Sequence, residues 1–273
     1  DGRSLRYLEA KEYFQLAGRA GRRGIDEVGF VVIMVDRLKM PIYVLEDTLK
    51  GELEPIESQF RLSYNTVLNL LKHYDAKTRD VILESNFGYF VKKQSAMQTR
   101  IKTSFAHYSR RLHKLGFVNK DTLTWKGEFT TMIYAQELAV GEFVFSKAYE
   151  KLNDIELVLV LTTMMYEGKR SQQFMTKGAQ IGNILNTIKD NKVIGRALNV
   201  SDLKRLYHLV RLWMEGAEFD QLLDICNLAE GDIIRIFRQT LDIMSQMKHS
   251  LQRLNMHEEL IYRLSRCSKT IDR

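Results

Sequence analysis

The chain has 273 residues, 45% hydrophobic and 27% charged, with a net charge of +7. That is enough apolar side chain for two or three compact units, and it excludes a disordered chain. No run of about 18 apolar residues occurs, and the N-terminus lacks the basic, apolar and small-residue order of a signal peptide, so a soluble, cytoplasmic protein is expected, with nucleus and organelle left open.

Only Pro41 and Pro55 interrupt stretches in which Leu, Ile, Met, Lys and Glu recur at helical spacing, so the fold class is mainly α. Residues 11–19 suit a short helix. A glycine-rich turn from Gly21 to Gly24 then leads to Val28-Gly29-Phe30-Val31-Val32-Ile33-Met34-Val35, short and β-branched enough for a buried strand closed by Asp36. Helix, turn and strand make the end of an α/β layer, and no further alternation completes it. The chain is therefore expected to start inside a domain.

From Pro41 the pattern changes to helices over 41–50, 58–73, 76–85 and 94–115. Phe60, Tyr64, Val67, Leu68 and Leu71 share one face of the second. Short apolar pieces at Phe117-Val118, Leu123-Thr124-Trp125 and Phe129–Tyr134 then suggest a small ribbon. Helices followed by a two-stranded ribbon describe a winged helix, with Lys126-Gly127 in the wing. Beyond 136 the sequence reads as helix throughout, over 137–150, 154–167, 172–189, 201–215, 218–226, 230–249 and 257–270. No fixed-period repeat is visible, which favours an all-α bundle over a solenoid.

The charge is unevenly placed. Residues 92–127 hold nine Lys or Arg against Asp121, a segment charge of +8, while the rest of the chain sums to −1. Lys92, Lys93, Arg110, Arg111 and Lys126 in this segment are candidates for a surface that tracks a phosphate backbone, and a merely solvated helix face is the competing reading. Cys226 and Cys267 are too few and too isolated for a disulfide framework or a metal site, so no metal centre is expected.

The most specific stretch is Gln15-Leu16-Ala17-Gly18-Arg19-Ala20-Gly21-Arg22-Arg23-Gly24. Glycines let a backbone approach an anion closely while guanidinium groups reach it from fixed positions. The stretch resembles motif VI of superfamily-two helicases, and with Glu12-Tyr13-Phe14 it is similar to the superkiller and exosome-cofactor group of DExH-box RNA helicases. Ser58–Leu71 resembles the signature opening the winged helix of that family. Leu112–Phe117 with Trp125-Lys126-Gly127 resembles its wing, and Trp213–Phe219 with Glu230–Arg235 resembles its helical C-terminal domain, DSHCT.

The resemblance implies three parts: 1–43 as the end of the second RecA-like lobe, 44–135 as the winged helix, and 136–273 as the DSHCT bundle. It implies Arg22 as an arginine finger on ATP, Arg19 as a second phosphate ligand, and Gln15, Gly18 and Gly21 as nucleotide contacts. The helix at 230–249 would be a ratchet beneath RNA, with Arg235 and Arg238 on its polar stripe; an ordinary bundle helix is the alternative. Superkiller-type eukaryotic members insert an arch in the winged-helix region, and 86–117 leaves no room for one, so an archless member is implied.

The chain contains neither a Gly-x-x-x-x-Gly-Lys-Ser/Thr loop nor an Asp-Glu-x-His acid pair. ATP and magnesium would thus be held mainly by a missing N-terminal part, and the fragment alone would be inactive. The expected parent is a monomeric ATP-dependent RNA helicase working on RNA, with DNA not excluded, beside RNA-decay nucleases and away from membranes. The alternative is a non-catalytic winged-helix protein that binds nucleic acid and retains a helicase remnant.

Overall fold

The computed structural model describes residues 6–22, 24–51, 62–85, 95–120, 122–168 and 172–273, with backbone alone for 95–100. The chain divides into two compact units, residues 1–59 and 60–273. Lys92, Lys93 and the start of the segment expected as helix over 58–73 lie outside the described residues.

In the first unit, helix α1 (Ala10–Ala17) pairs with α2 (Ile42–Lys50). Glu9 caps α1, and its backbone N–H donates to the Glu12 carboxylate at 3.2 Å. The Thr48 hydroxyl of α2 donates to the Leu8 carbonyl at 3.2 Å, and the Tyr7 hydroxyl to the Lys39 carbonyl at 3.0 Å. The expected strand over 28–35 is not formed. Val32 is 93% exposed and Met34 98%. A buried strand needs neighbours for its backbone groups and cover for both faces, and this unit has no strand among its described residues.

The second unit opens with α3 (Tyr64–His73), α4 (Ala76–Glu84) and α5 (Ser95–Lys114). Ser63 and Asp75 cap α3 and α4 by accepting from the backbone N–H groups of Thr66 and Thr78. A minimal antiparallel ribbon follows, β1 (Val118–Asn119) and β2 (Thr122–Leu123), with Val118 opposite Leu123. Val67, Leu68, Leu112 and Phe117 are buried beneath it.

The segment after β2 is helix α6 (Trp125–Thr130), not a continuing ribbon. Thr124 accepts from the Gly127 N–H and so starts a helix where short apolar alternation suggested a strand. A Cβ at Gly127 would lie 2.1 Å from the Phe117 carbonyl, so Lys126-Gly127 packs inward instead of forming a wing tip.

Helices α7 (Glu137–Phe145), α8 (Asp154–Met165), α9 (Gly182–Ile188), α10 (Lys192–Ala197), α11 (Val200–Met214), α12 (Phe219–Leu223), α13 (Glu230–Leu254) and α14 (Glu258–Ile271) complete the unit. Leu157 to Met164 of α8 are all buried, as expected of a helix apolar on every side, and α11 and α13 pack against it. The α14 helix closes on α13, and Asp154 at the start of α8 ties α14 down through Arg263, at 3.1 Å, and Arg266.

Two expected spans break up here, and one unforeseen helix, α10, appears. The helix foreseen over 137–150 stops at Phe145, where Lys147 adopts φ 56° and a 3-10 turn covers Ala148–Lys151. Of 172–189 only Gly182–Ile188 is helical. Residues 173–175 run extended because Phe174 bridges Cys226, with the Met175 N–H donating to Ile225 at 2.8 Å. Helix α10 is too short to give a periodic signal.

Candidate functional site

Two regions carry the residues singled out by sequence. The first is the turn after α1. Gly21 and Gly24 take φ values of +82° and +77°, where a side chain would be strained. A Cβ on Gly29 would lie 2.3 Å from the Ala20 carbonyl, so the returning chain passes against the turn and glycine is required. The Asp26 carboxylate fastens it, accepting from the Arg22 backbone N–H at 2.7 Å and from Nε at 3.1 Å. Arg22 in turn holds the Asp26 carboxyl below its usual range.

Gln15 in the last turn of α1 and Gly18, Arg19, Gly21 and Arg22 after it are all exposed; Arg23 lies outside the described residues. Arg19 has no carboxylate partner among the described residues. The side chain of Arg22 is 73% exposed, and a pair so exposed contributes little to stability. A phosphate could therefore displace Asp26 at little cost, leaving two guanidinium groups and a glycine backbone facing an anion.

The second region is a cleft of about 710 Å³ in the other unit, between α13, the end of α8 and the Ala135-Gln136 linker. Arg235, Arg238 and Asp242 line it from α13, over a floor that includes Met164, Met165 and Ile234. Arg235 is paired with Asp232 at 3.0 Å, and Arg238 has no carboxylate partner among the described residues. Ser245 and His249, on the same stripe, turn to each other, the imidazole Nδ1 lying 2.8 Å from the Ser245 carbonyl. Tyr166 reaches in from α8 and donates to Gln172 at 2.6 Å; burial pushes its hydroxyl up to about 12. Gln136 and Tyr166 do not stand out in the sequence, because a residue at a helix junction leaves no periodic signal.

The basic segment is not one face. Lys102 is paired with Glu84 at 2.7 Å, Arg110 is exposed, and Arg111 lies over the Tyr64 ring at 5.4 Å. Lys126, expected on a wing, is only 14% exposed. It pairs with Glu142, donates to the Leu115 carbonyl at 2.9 Å and covers the Phe117 ring at 4.3 Å. Its ammonium is fully engaged inside the fold and is not free for a phosphate. Trp213 stacks on Phe237 with centroids 5.5 Å apart and donates to the Ile271 carbonyl at 3.0 Å, which makes it packing and not a base platform.

Among the described residues no group of three or more His, Cys, Asp or Glu could hold a metal ion, and no helix is long and apolar enough to cross a membrane.

Residues 120–273 match the family model of the DSHCT (NUC185) domain. The chain is similar to the ATP-dependent RNA helicase mtr4 of Schizosaccharomyces pombe, 38% identical over 110 residues, which cover 40% of this chain and 10% of that protein. The Exosome RNA helicase MTR4 of Homo sapiens is 38% identical over 112 residues, covering 40% and 11%. The Antiviral helicase SKI2 of Saccharomyces cerevisiae is 28% identical over 194 residues, covering 71% and 12%. The aligned stretches thus span only about a tenth of the length of these relatives. With more than half of its residues in that match, and an all-helical bundle built around α8 and α13 behind it, the chain belongs to the DSHCT (NUC185) domain family.

Proposed function

We propose that this chain is the C-terminal portion of an ATP-dependent RNA helicase of the superkiller type, which couples ATP hydrolysis to unwinding or threading of RNA for processing or decay. In this reading residues 1–43 end a RecA-like lobe, 44–135 form a winged helix, and 136–273 form the bundle under the RNA. The observation that carries it is the exposed Gly18–Gly24 turn, with Arg19 and Arg22 presented to solvent, in one chain with a DSHCT bundle whose long helix lines a cleft with Arg235 and Arg238.

The turn fits a phosphate by the test of space and charge. Gly24 leaves the backbone open on one side, and Arg22 can exchange an exposed carboxylate for a more highly charged anion. ATP supplies the phosphoryl bond whose hydrolysis drives movement. Arg22 is the finger that meets charge growing on the terminal phosphate, Arg19 a second phosphate ligand, and Gln15, Gly18 and Gly21 shape the approach. Magnesium would be held mainly by the rest of the parent helicase. In the cleft Arg238 reaches a phosphate directly, and Arg235 does so by leaving Asp232. Nucleases of RNA decay are the expected partners, in keeping with the word exosome in a relative's name.

The test is Arg22→Ala in the full-length helicase. Hydrolysis should fall by about 10³-fold or more while RNA affinity without nucleotide stays within about twofold. Hydrolysis within about tenfold of the parent would remove Arg22 from the finger position.

A further inference from the structure

Three recesses of the 60–273 unit follow one another through shared lining residues. The cleft beside α13 ends at Gln136, whose backbone is left-handed with φ 49°. Gln136 also lines a second recess of about 250 Å³, together with Tyr64, Arg111 and Arg196. Arg196 then lines a third, of about 490 Å³, with Lys189 and Lys192. Shared lining residues make neighbours of the three. In the order of these recesses the cations run from Arg235 and Arg238 past Gln136 to Arg111 and Arg196, and on to Lys192 and Lys189.

The far end of this run is built to meet a polyanion. Lys189, Lys192 and Arg196 line it and have no carboxylate partner among the described residues. The acids nearby are Asp190, which is exposed in the sequence beside Lys189, Glu137, whose carboxylate accepts from the Asn65 N–H at 3.3 Å, and Glu142, which is paired with Lys126. The cations stand on a fixed support: Asn191 caps α10 and also donates to Glu142 at 3.2 Å. Beneath them lie Ile188 and Leu198, both buried. Midway, the Arg111 guanidinium covers Tyr64, whose ring lies 4.6 Å from that of Tyr108.

Cations alone would suit an acidic peptide. An apolar floor under a cationic rim, with an arginine lying over a tyrosine ring partway along, suits a strand that carries both phosphates and flat bases. We propose that this run of recesses is a second, sequence-independent track for single-stranded RNA, in which Lys189, Lys192 and Arg196 hold phosphates of the strand that passes Arg235 and Arg238. The proposal rests on the reading of the α13 cleft as an RNA site.

The experiment measures fluorescence anisotropy of the 273-residue chain with labelled oligouridylates of about 4 and about 16 nucleotides, sizes that bracket one compact single-strand site. The combined Lys189→Ala, Lys192→Ala and Arg196→Ala variant should weaken the longer RNA by about tenfold and lower its salt slope by about 2, at about 0.7 for each phosphate no longer neutralised. The shorter RNA should bind as before. Arg235→Ala with Arg238→Ala should weaken both. Arg196→Glu alone should act on the longer RNA more strongly than Arg196→Ala, with unchanged circular dichroism showing that the fold is kept.

An unchanged affinity and slope in the triple variant, with the cleft variant still defective, would overturn the track and leave the cleft reading standing. Loss of polyglutamate binding in that variant, with RNA binding intact, would overturn it in favour of an acidic protein. Failure of the parent chain to bind either RNA would overturn the cleft reading and the track with it.

Discussion

Lys126 and Glu142 form an ion pair in which the two side chains are only 14% and 12% exposed. The pair joins α6 to α7, and Asn191 adds a donor to the second carboxylate oxygen at 3.2 Å. Removing one partner would leave the other charge enclosed and unpaired. Lys126→Ala should therefore cost about 3–5 kcal/mol, and Lys126→Met with Glu142→Leu should recover most of that loss. Urea unfolding of the three proteins decides it, and a single variant within about 1 kcal/mol of the parent would show that water reaches the pair.

That pair also shows where sequence reading reaches its limit. Long periodic helices such as α5, α11, α13 and α14 are legible because one apolar stripe fixes their type, although α13 runs on from the expected 249 to Leu254. Lys126 reads as a wing cation because its partner Glu142 lies 16 residues away, and a burial that depends on so distant a partner leaves no local mark. Val28–Val35 shows the reverse failure. Its composition suits a buried strand, yet no strand forms without other strands beside it. The Arg19–Arg22 turn is legible because φ-positive glycines and alternating arginines are local requirements. The Lys189–Arg196 cations leave no such signal, because they sit on and between α9 and α10, elements too short to have a period.

Asn65 should prove structural. Its side-chain amide donates to the backbone carbonyls of Thr131 and Ile133 at 2.9 and 2.8 Å, and more loosely to that of Thr130 at 3.3 Å. These carbonyls belong to the frayed end of α6, and Asn65 ties them to the start of α3. Asn65→Ala leaves partly buried acceptors without a donor and should cost about 1–3 kcal/mol. Asn65→Asp should be worse, since it sets a carboxylate against carbonyl oxygens. Chemical denaturation that ranks the Asp variant as more stable than the Ala variant would disprove the assignment.

Stability should fall at alkaline pH. Burial pushes the Cys267 thiol and the Tyr149 hydroxyl each up to about 12, from ordinary values of 9 and 10. Both are acids kept neutral by the fold, so their contribution is whole below pH 9 and is lost as pH rises from 9 towards 12. Cys267 is 1% exposed and should resist thiol reagents in the native chain at pH 8 until urea unfolds it. Cys267→Ala should reduce the alkaline loss in urea midpoints taken from about pH 8 to about pH 11. An unchanged profile would trace the loss to other groups.

At the acid side His257 acts with the opposite sign. Its Nδ1 lies 2.8 Å from the Tyr149 hydroxyl, and burial, with Lys147 nearby, holds its imidazole below the usual 6.5. The folded state prefers neutral His257, so this contribution is present above pH 6.5 and is lost as pH falls through the folded value. His257→Asn should lessen the drop in urea midpoint between about pH 7 and about pH 5, and an unaltered drop would exclude the imidazole as its source.

The RNA reading makes a last prediction that separates gripping from mere attraction. Phosphate contacts release counterions, so combined neutralisation of Lys92, Lys93, Arg110 and Arg111 should flatten the salt dependence of RNA binding by about 0.7 for each phosphate set free. Arg111 already commits its guanidinium to Tyr64, and its share should be the smallest of the four. Arg235→Ala with Arg238→Ala should change the slope by no more than about 1.4, because only two charges are removed. In the full-length helicase the same pair should lower the base pairs opened per ATP, since a helix beside the strand has to hold it between strokes. If the four-residue variant keeps the parent's slope, the basic segment is a solvated face. If the double variant opens as many base pairs per ATP as the parent, α13 is bundle structure and the cleft beside it has no part in movement.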